Sequence, residues 1–189
     1  MVIGVLALQG DFEEHCGVLR RLGVKPREIR LPADLEGIAG LIIPGGESTT
    51  LGKLADAYGL VQPIRAISRL IPVWGTCAGL VFMASDVGTD QKVLGLLDIV
   101  VKRNAFGRQV DSFEEDILIT GIQGGKFRGI FIRAPIITSL GPLAEPICAL
   151  KDGRIVAVKQ GRLLATSFHP ELSGDDRLHQ YFLKLADSP

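Results

Sequence analysis

The sequence predicts an α/β fold: a single domain over residues 1–189, built as a three-layer sandwich with a mixed, mostly parallel sheet and helices on both faces. Three observations lead to this prediction. The first half of the chain repeats a unit of apolar strand, glycine turn and helix three times, which is typical of a parallel sheet. The second half changes to short strands separated by turn residues. The length of 189 residues suits one well-filled domain.

The first unit opens with a continuous apolar run at residues 2–8, which predicts a buried strand. Asp11 stands where a helix N-cap is expected, and Glu14 follows three residues later. We expect this helix to end at Gly23, because glycine is a common helix terminator. The stretch VKPREIRL then predicts a short strand broken by Pro26.

The second and third units repeat this pattern. In GIAGLIIPGGESTTLGKLADAYGL an apolar strand leads into a glycine turn and a helix, with Ser48 as the expected N-cap. In IPVWGTCAGLVFMAS, residues 71–74 predict a strand and residues 78–84 the start of a helix. Ligands bind beyond the carboxyl ends of strands in such sheets, so the turns that follow the strands are the candidate site.

Beyond about residue 95 the sequence predicts a series of short strands and one closing helix. We expect the strands to form a mixed or antiparallel extension of the same sheet. The segments are LDIVV, DILITGI, FRGIFI, PICAL, RIVAV and RLLATSF, and the helix covers residues 175–186.

The composition argues against several classes of function. A formal net charge of zero gives no overall electrostatic footprint for nucleic acid. The N-terminal residues resemble neither a signal peptide nor a membrane span. The three cysteines are widely separated, without CxxC or metal-ligand spacing, which indicates a reducing compartment and no metal site. We therefore expect a cytoplasmic protein that binds neither nucleic acid nor membranes.

The segment GTCAG places Cys77 at a strand-to-helix junction, between Gly75 and Gly79. This is the thiol counterpart of the G-x-S-x-G elbow, in which a nucleophile occupies a strained turn. The first N–H groups of the following helix favour a thiolate, and the N–H of Ala78 is a natural oxyanion donor. The alternative is an ordinary buried cysteine among small residues.

A thiolate nucleophile needs a base, and the chain has three histidines. His169 ends a predicted strand and precedes Pro170, so the side chain of Glu171 projects from the same side and can orient the imidazole. This arrangement would give a Cys77, His169 and Glu171 triad. We expect His15 and His179, which lie inside predicted helices, to be half-exposed surface residues.

The segment PGGEST can be interpreted in two ways. Glycines before a helix can bind an anion, but a Walker lysine and dinucleotide spacing are absent. Backbone N–H groups near Gly45 and Gly46 can instead supply a second oxyanion donor. Arg133, in FIRAP, follows an apolar strand, and its guanidinium would suit the carboxylate of an amino-acid substrate.

Together these motifs resemble the class I, triad-type glutamine amidotransferases, which release ammonia from glutamine through a thioester and pass it to a partner. Within that class, ALQGDFEEH, IPGGEST, WGTCAGL, RNAFGRQVDSFE, FIRAP and ATSFHPE resemble the glutaminase subunits of pyridoxal 5′-phosphate synthase. Leu80 and Val81 follow the elbow, where many other class members have a glutamine, and this agrees with the pyridoxal branch.

The resemblance implies a flavodoxin-like fold without metal or organic cofactor. It implies that the partner is a (β/α)8-barrel synthase subunit in a large hetero-oligomer, with Gln9 and Gly10 near the docking face and the oxyanion region. The residues implied to contact bound L-glutamine are Gly46, Glu47, Ser48, Arg103, Ile132 and Arg133.

Three alternatives remain at the level of sequence. The chain can be a cysteine hydrolase of the DJ-1/PfpI type, which also uses an elbow cysteine. It can be a silent binding module in which PGGEST holds an anion. It can also be a glutaminase that serves another synthase, such as imidazole glycerol phosphate synthase.

Overall fold

The computed structural model describes residues 1–103 and 112–187. Its helices are α1 (Phe12–Arg21), α2 (Ser48–Ala57), α3 (Val61–Ile67), α4 (Ala78–Met83) and α5 (Arg177–Asp187). Short 3-10 turns lie at Pro32–Leu35 and Pro170–Leu172. The strands are β1 (Val2–Leu6), β2 (Lys25–Ile29), β3 (Gly40–Ile43), β4 (Val73–Thr76), β5 (Ala84–Asp86), β6 (Leu97–Lys102), β7 (Ser112–Ile117), β8 (Phe127–Ile132), β9 (Ile136–Leu140), β10 (Glu145–Ala149), β11 (Ile155–Gln160) and β12 (Leu163–Thr166).

The main sheet has a parallel half and a mixed half. The parallel half runs in the order β2-β1-β3-β4-β12, and all four of its pairings are parallel. Relative to chain order this is 2-1-3-4-5, the flavodoxin-like arrangement. Strand β6 pairs with β9, β9 with β11, and β11 with β12, and all three pairings are antiparallel. Strand β12 then pairs with β4 and completes the parallel half. The predicted α/β fold with a mixed sheet is confirmed.

Two apolar cores cover the two faces of the sheet, as the alternation of side chains along each strand requires. One core joins strand residues such as Leu41 to α2, α3 and α4. The other joins residues such as Ile42 and Trp74 to α1 and α5. Helices on both faces make the structure a three-layer sandwich.

Several boundaries and pairings differ from the sequence prediction. The stretch DILITGI was predicted as a strand, but β7 comes earlier, at Ser112–Ile117. Strands β7 and β8 form a separate antiparallel hairpin instead of joining the main sheet. Strand β9 was not predicted, and it contributes antiparallel pairings to β6 and β11. The region 104–111, which carries most of RNAFGRQ, lies outside the described residues.

In the described parts of the chain, no helix combines the length and the apolar character that crossing a membrane requires.

Candidate active site

The candidate site lies where three adjacent parallel strands end. Strands β3, β4 and β12 are neighbours, so their carboxyl ends share one edge of the sheet. The turns after them carry Gly46, Cys77 and His169 respectively, and these residues line one cleft of about 450 Å³. The other residues that line it are Asp11, Glu47, Ser48, Ala78, Val81, Arg103, Ile132, Arg133, Pro135 and Leu172.

The backbone at Cys77 forms the sharp turn that the GTCAG pattern predicts. Cys77 has φ 49° and ψ −104°, a positive φ that non-glycine residues adopt rarely. Its N–H donates to the carbonyl of Thr166 on β12 at 2.8 Å. Ala78 is the first residue of α4, so its N–H has no intrahelical acceptor and remains available to an oxyanion.

The two glycines of the elbow are required by close packing. A Cβ at Gly75 would come within 2.6 Å of the Gly79 carbonyl group. A Cβ at Gly79 would overlap the carbonyl oxygen of Ile43 on β3. The junction is tightly packed because the backbones of the elbow, α4 and β3 are in direct contact.

We expect Gly79→Ala to lower the free energy of unfolding by about 3 kcal/mol, because a backbone oxygen must move to admit the new methyl group. Gly17→Ala is the matched control. Gly17 lies inside α1, where an added Cβ comes no closer than 4.0 Å to another atom, so alanine should stabilise that helix. Urea unfolding of both variants measures the difference. Equal stability of the two would show that the elbow tolerates a side chain.

One nitrogen of the His169 ring contacts two carboxylates. Its Nδ1 is 2.7 Å from Oε1 of Glu171 and 3.3 Å from Oδ2 of Asp11. Glu171 is buried, whereas the side chain of Asp11 is about one-third exposed. A carboxylate accepts only, so Nδ1 carries the proton. In the neutral ring, that tautomer leaves a lone pair on Nε2.

Burial alone would lower the pKa of His169. Hydrogen bonds to Asp11, Cys77 and Glu171, together with the negative charge of Glu171, overcome that effect and raise the pKa to about 12. Burial raises the pKa of Glu171, and the contact with His169 acts against it. The geometry therefore favours an imidazolium beside a carboxylate.

The other two cysteines lack these features. Burial raises the pKa of the Cys148 thiol to about 11 and also raises that of Cys16. Both thiols are free and buried in apolar surroundings, so neither is a comparable nucleophile.

The PGGEST turn caps α2 differently from the prediction. Ser48 is the first helical residue, and Glu47 is the N-cap: its carboxylate accepts from the N–H groups of Thr49 and Thr50 at 3.0 and 2.7 Å. Although burial opposes the effect, these bonds and those from the Thr49 and Thr50 side chains lower the pKa of Glu47 to about 2. Arg103 donates to the hydroxyl of Thr49 at 2.9 Å.

Ile132 ends strand β8 and Arg133 follows it, and both residues line the cleft. The Cys77 thiol lies 4.0 Å from the carbonyl oxygen of Ile132. Arg133 has φ 42°, so the chain turns sharply directly after the strand. Its side chain is exposed and lines the cleft.

Gln9 and Gly10 contact the PGGEST turn and do not line the cleft. The Gln9 side chain accepts from the N–H of Glu47 at 2.9 Å. Gly10 has φ 78°, and a Cβ there would overlap the carbonyl oxygen of Gly45. A Cβ at Gly45 would come within 2.5 Å of the His169 ring. The loop after β1 is thus in backbone contact with the candidate oxyanion region.

Two expectations about the helices were wrong. Asp11 stands at the N-cap position of α1, but its side chain makes no capping hydrogen bond and faces His169 instead. His15 and His179, expected at the surface, are fully buried. Asp11 is therefore a site residue that the sequence analysis missed.

The structure offers one cluster of possible metal ligands in the part of the chain that it describes. It consists of Asp11, His169 and Glu171, whose ligand atoms lie within 4.8 Å of one another. The same atoms form the hydrogen bonds around the His169 ring.

Comparison with known proteins identifies the family. The model of the SNO glutamine amidotransferase family matches residues 5–188. The chain belongs to this family. It is 54% identical to the pyridoxal 5′-phosphate synthase subunit PdxT of Chloroflexus aurantiacus, over 98% of this chain and 100% of the relative. It is 56% identical to the same subunit of Moorella thermoacetica, over 98% of this chain and 99% of the relative.

Solved structures agree with this assignment. The crystal structure of a glutamine amidotransferase is 50% identical and superposes with a TM-score of 0.94 over 100% of both chains. The structure of PurLQS from Thermotoga maritima, at 17% identity and a TM-score of 0.73 over 97% of both chains, shares the fold. The SNO family chain is thus a glutaminase, and its predicted kinship with the pyridoxal 5′-phosphate synthase subunit is confirmed.

Proposed function

We propose that this chain hydrolyses L-glutamine through a thioester on Cys77 and supplies the ammonia to a synthase that makes pyridoxal 5′-phosphate. The observation that carries the proposal is the arrangement of an elbow cysteine beside a histidine whose Nδ1 is fixed by a buried glutamate. Membership of a glutamine amidotransferase family names glutamine as the substrate class.

The first chemical step is attack of the Cys77 thiolate on the side-chain amide carbon of glutamine. The developing oxyanion is held by the N–H of Ala78 and by N–H groups of the Gly45–Gly46 turn. His169, protonated on both nitrogens, gives its Nε2 proton to the leaving ammonia. Glu171 holds Nδ1–H throughout and keeps the ring in position.

The second step hydrolyses the thioester. His169 is now neutral, with a free lone pair on Nε2, and it takes a proton from a water molecule that attacks the thioester carbon. Collapse of this second tetrahedral intermediate releases glutamate and restores the thiolate–imidazolium pair. The same oxyanion donors serve both steps, because both intermediates place negative charge on the same oxygen.

The remaining cleft residues bind and orient glutamine. In this proposal Arg133 contacts the α-carboxylate of glutamine and Glu47 its α-amino group, which are contacts between opposite charges. Gly46, Ser48, Arg103 and Ile132 complete this part of the cleft, and Arg103 also holds the first turn of α2 through Thr49. No step needs a metal ion or an organic cofactor.

The partner in this proposal is a (β/α)8-barrel synthase subunit that forms a large hetero-oligomer with this chain in the cytoplasm. Its support is that the relatives are named as subunits of a synthase and match over nearly their whole length. The chain acts as one domain, and the face around Gln9 and Gly10 docks the partner. The loop there contacts the turn that carries the candidate oxyanion donors. Docking of the partner on this loop can therefore change the geometry of the catalytic site.

We expect glutamine hydrolysis by the isolated subunit to rise at least about tenfold when the barrel subunit is added, equivalent to about 1.4 kcal/mol of transition-state free energy. Coupling to the partner prevents ammonia from being released without a receiver. Ammonia release, measured against barrel concentration, gives the activation curve.

Variants at two positions test the docking face. Gln9→Ala should weaken the activation, whereas Leu70→Ala should not, because Leu70 is 72% exposed and precedes β4, at the opposite edge of the sheet. Equal rates with and without the barrel subunit would contradict the proposed coupling. Hydrolysis that is absent in both states would contradict the glutaminase assignment itself.

A further inference from the structure

Behind the triad lies a buried pair of histidines that the proposed mechanism does not use. His15 on α1 and His179 on α5 are both fully buried, and Nδ1 of His15 is 2.9 Å from Nε2 of His179. Nε2 of His15 lies 3.3 Å from Oε2 of Glu171 and 3.2 Å from the hydroxyl of Thr76. The pair therefore adjoins the carboxylate oxygen that faces away from His169.

The hydrogen-bonding needs of these atoms fix the tautomers. Among the described residues, Oε2 of Glu171 and Nδ1 of His179 are buried without a hydrogen-bond partner. If His15 carried its proton on Nδ1, its Nε2 lone pair would face a carboxylate. Nε2 of His179 would then have to accept that proton, so His179 would carry its own proton on Nδ1 and bury an unpaired N–H. With both rings protonated on Nε2, the N–H of His179 points to Nδ1 of His15, and the N–H of His15 faces both the Thr76 hydroxyl and Oε2 of Glu171. The atom left over is then Nδ1 of His179, a bare nitrogen.

We propose that His15 is a positioning residue for the glutaminase reaction: its Nε2–H is shared between the Thr76 hydroxyl and Oε2 of Glu171, and Nε2–H of His179 holds His15 in that tautomer. The result is a hydrogen-bonded series from His179 through His15 and Glu171 to His169. Glu171 then receives one N–H on each oxygen, which fixes the rotation of its carboxylate and favours its ionised form.

The surroundings keep both rings neutral and in place. Burial lowers the pKa of His15 well below its ordinary value, with the neighbouring His179 and His169 adding to the effect. Burial lowers the pKa of His179 to about 3. The negative charge of Asp176 opposes this effect, and the positive charge of Arg21 adds to it. Trp74 packs edge-on against both rings, at centroid distances of 5.7 and 4.8 Å. Other polar groups facing the network are Thr76, Asp11 and Cys77.

The inference rests on the proposed function, because a residue can position a triad only if the triad is catalytic. Its first test is independent of activity. In protein labelled with ¹⁵N-histidine, only three residues contribute signals. The shifts of His15 and His179 should report neutral rings with Nε2–H from pH 6 to pH 9. A proton on Nδ1 of His15, or a charged His15 at pH 7, would overturn the proposal.

The second test uses paired variants. His15→Leu removes the donor and should lower kcat about tenfold, the value of one hydrogen bond to a charged group, with KM for glutamine within about twofold. It should also move the alkaline limb of the pH–rate profile to lower pH, because a less stabilised carboxylate supports the His169 imidazolium less well. His15→Gln retains an N–H at the place of Nε2 and should recover most of both effects.

A control separates positioning from folding. Val18→Ala changes another buried residue on α1, one whose side chain has no hydrogen-bonding atom to contribute to the network, so it should lower stability and leave the pH profile unchanged. If His15→Leu and Val18→Ala alter activity alike, or if His15→Gln recovers nothing, His15 has only a packing role. Inactivity of the wild-type protein would contradict the glutaminase assignment and leave the ¹⁵N result to decide the network.

Discussion

Replacing Cys77 with alanine should reduce glutamine hydrolysis at least about 10⁴-fold, the scale of loss found when a covalent nucleophile is removed. The elbow holds Cys77 at a positive φ beside α4 and His169, and alanine leaves that geometry without an atom that can attack. Binding of glutamine should persist, because the cleft walls are unchanged. Turnover is measured as glutamate formed, and binding by calorimetry with the barrel subunit present.

The chain provides a matched control for this experiment. Cys148→Ala removes a buried thiol whose pKa burial has raised to about 11, so activity should stay within about twofold of the wild type. Alkylation should likewise modify Cys77 first and be slowed by glutamine. Substantial turnover by Cys77→Ala, or equal loss in both variants, would contradict the assignment of the nucleophile.

The parts of the site that follow strands could be predicted from the sequence because the strand signals were strong. Each of the apolar runs before Gly46, Cys77 and His169 is short and ends at a glycine, proline or turn residue. In a parallel sheet these ends meet at one edge whatever the exact strand boundaries are. An error of one or two residues in a boundary therefore did not move the predicted site.

Contacts between distant segments could not be predicted in the same way. Asp11 and Glu47 both precede helices, and both side chains can cap them. The structure uses Glu47 as the cap and turns Asp11 to His169, a residue 158 positions away. Local spacing does not distinguish these outcomes, because the decision depends on which partner the fold brings within hydrogen-bond distance.

The buried histidines did leave a signal in the sequence. His15 precedes Val18, Leu19 and Leu22 at helical spacing, which places it on the apolar stripe of α1. His179 has the same relation to Phe182 and Ala186 on α5. A polar residue on an apolar stripe predicts a buried hydrogen bond, and following the stripe would have corrected the expectation of surface residues.

Glu171→Gln should lower kcat about 10³- to 10⁴-fold, comparable to the loss when a triad carboxylate is replaced by an amide. The amide keeps the volume of the buried side chain but carries no charge, and its NH₂ group cannot accept from Nδ1 of His169. The imidazolium then loses its partner at 2.7 Å, and the ring can adopt the wrong tautomer.

The direction of the accompanying pH effect follows from the pKa of His169. In the folded wild type this pKa is raised to about 12 from an ordinary value of 6.5, so the stability due to the charged ring is fully present below pH 6.5 and lost as the pH rises towards 12. Glu171→Gln should lower that pKa, so the alkaline limbs of both activity and thermal stability should move to lower pH.

Asp11→Asn is the comparison that isolates the role of Glu171. Asp11 also contacts Nδ1 of His169, but at 3.3 Å and with about one-third of its side chain exposed, so solvent weakens its effect. Its replacement should shift the alkaline limbs in the same direction by a smaller amount and reduce kcat less. A large loss of turnover in Glu171→Gln without any shift of those limbs would mean that Glu171 orients the ring and does not set its charge.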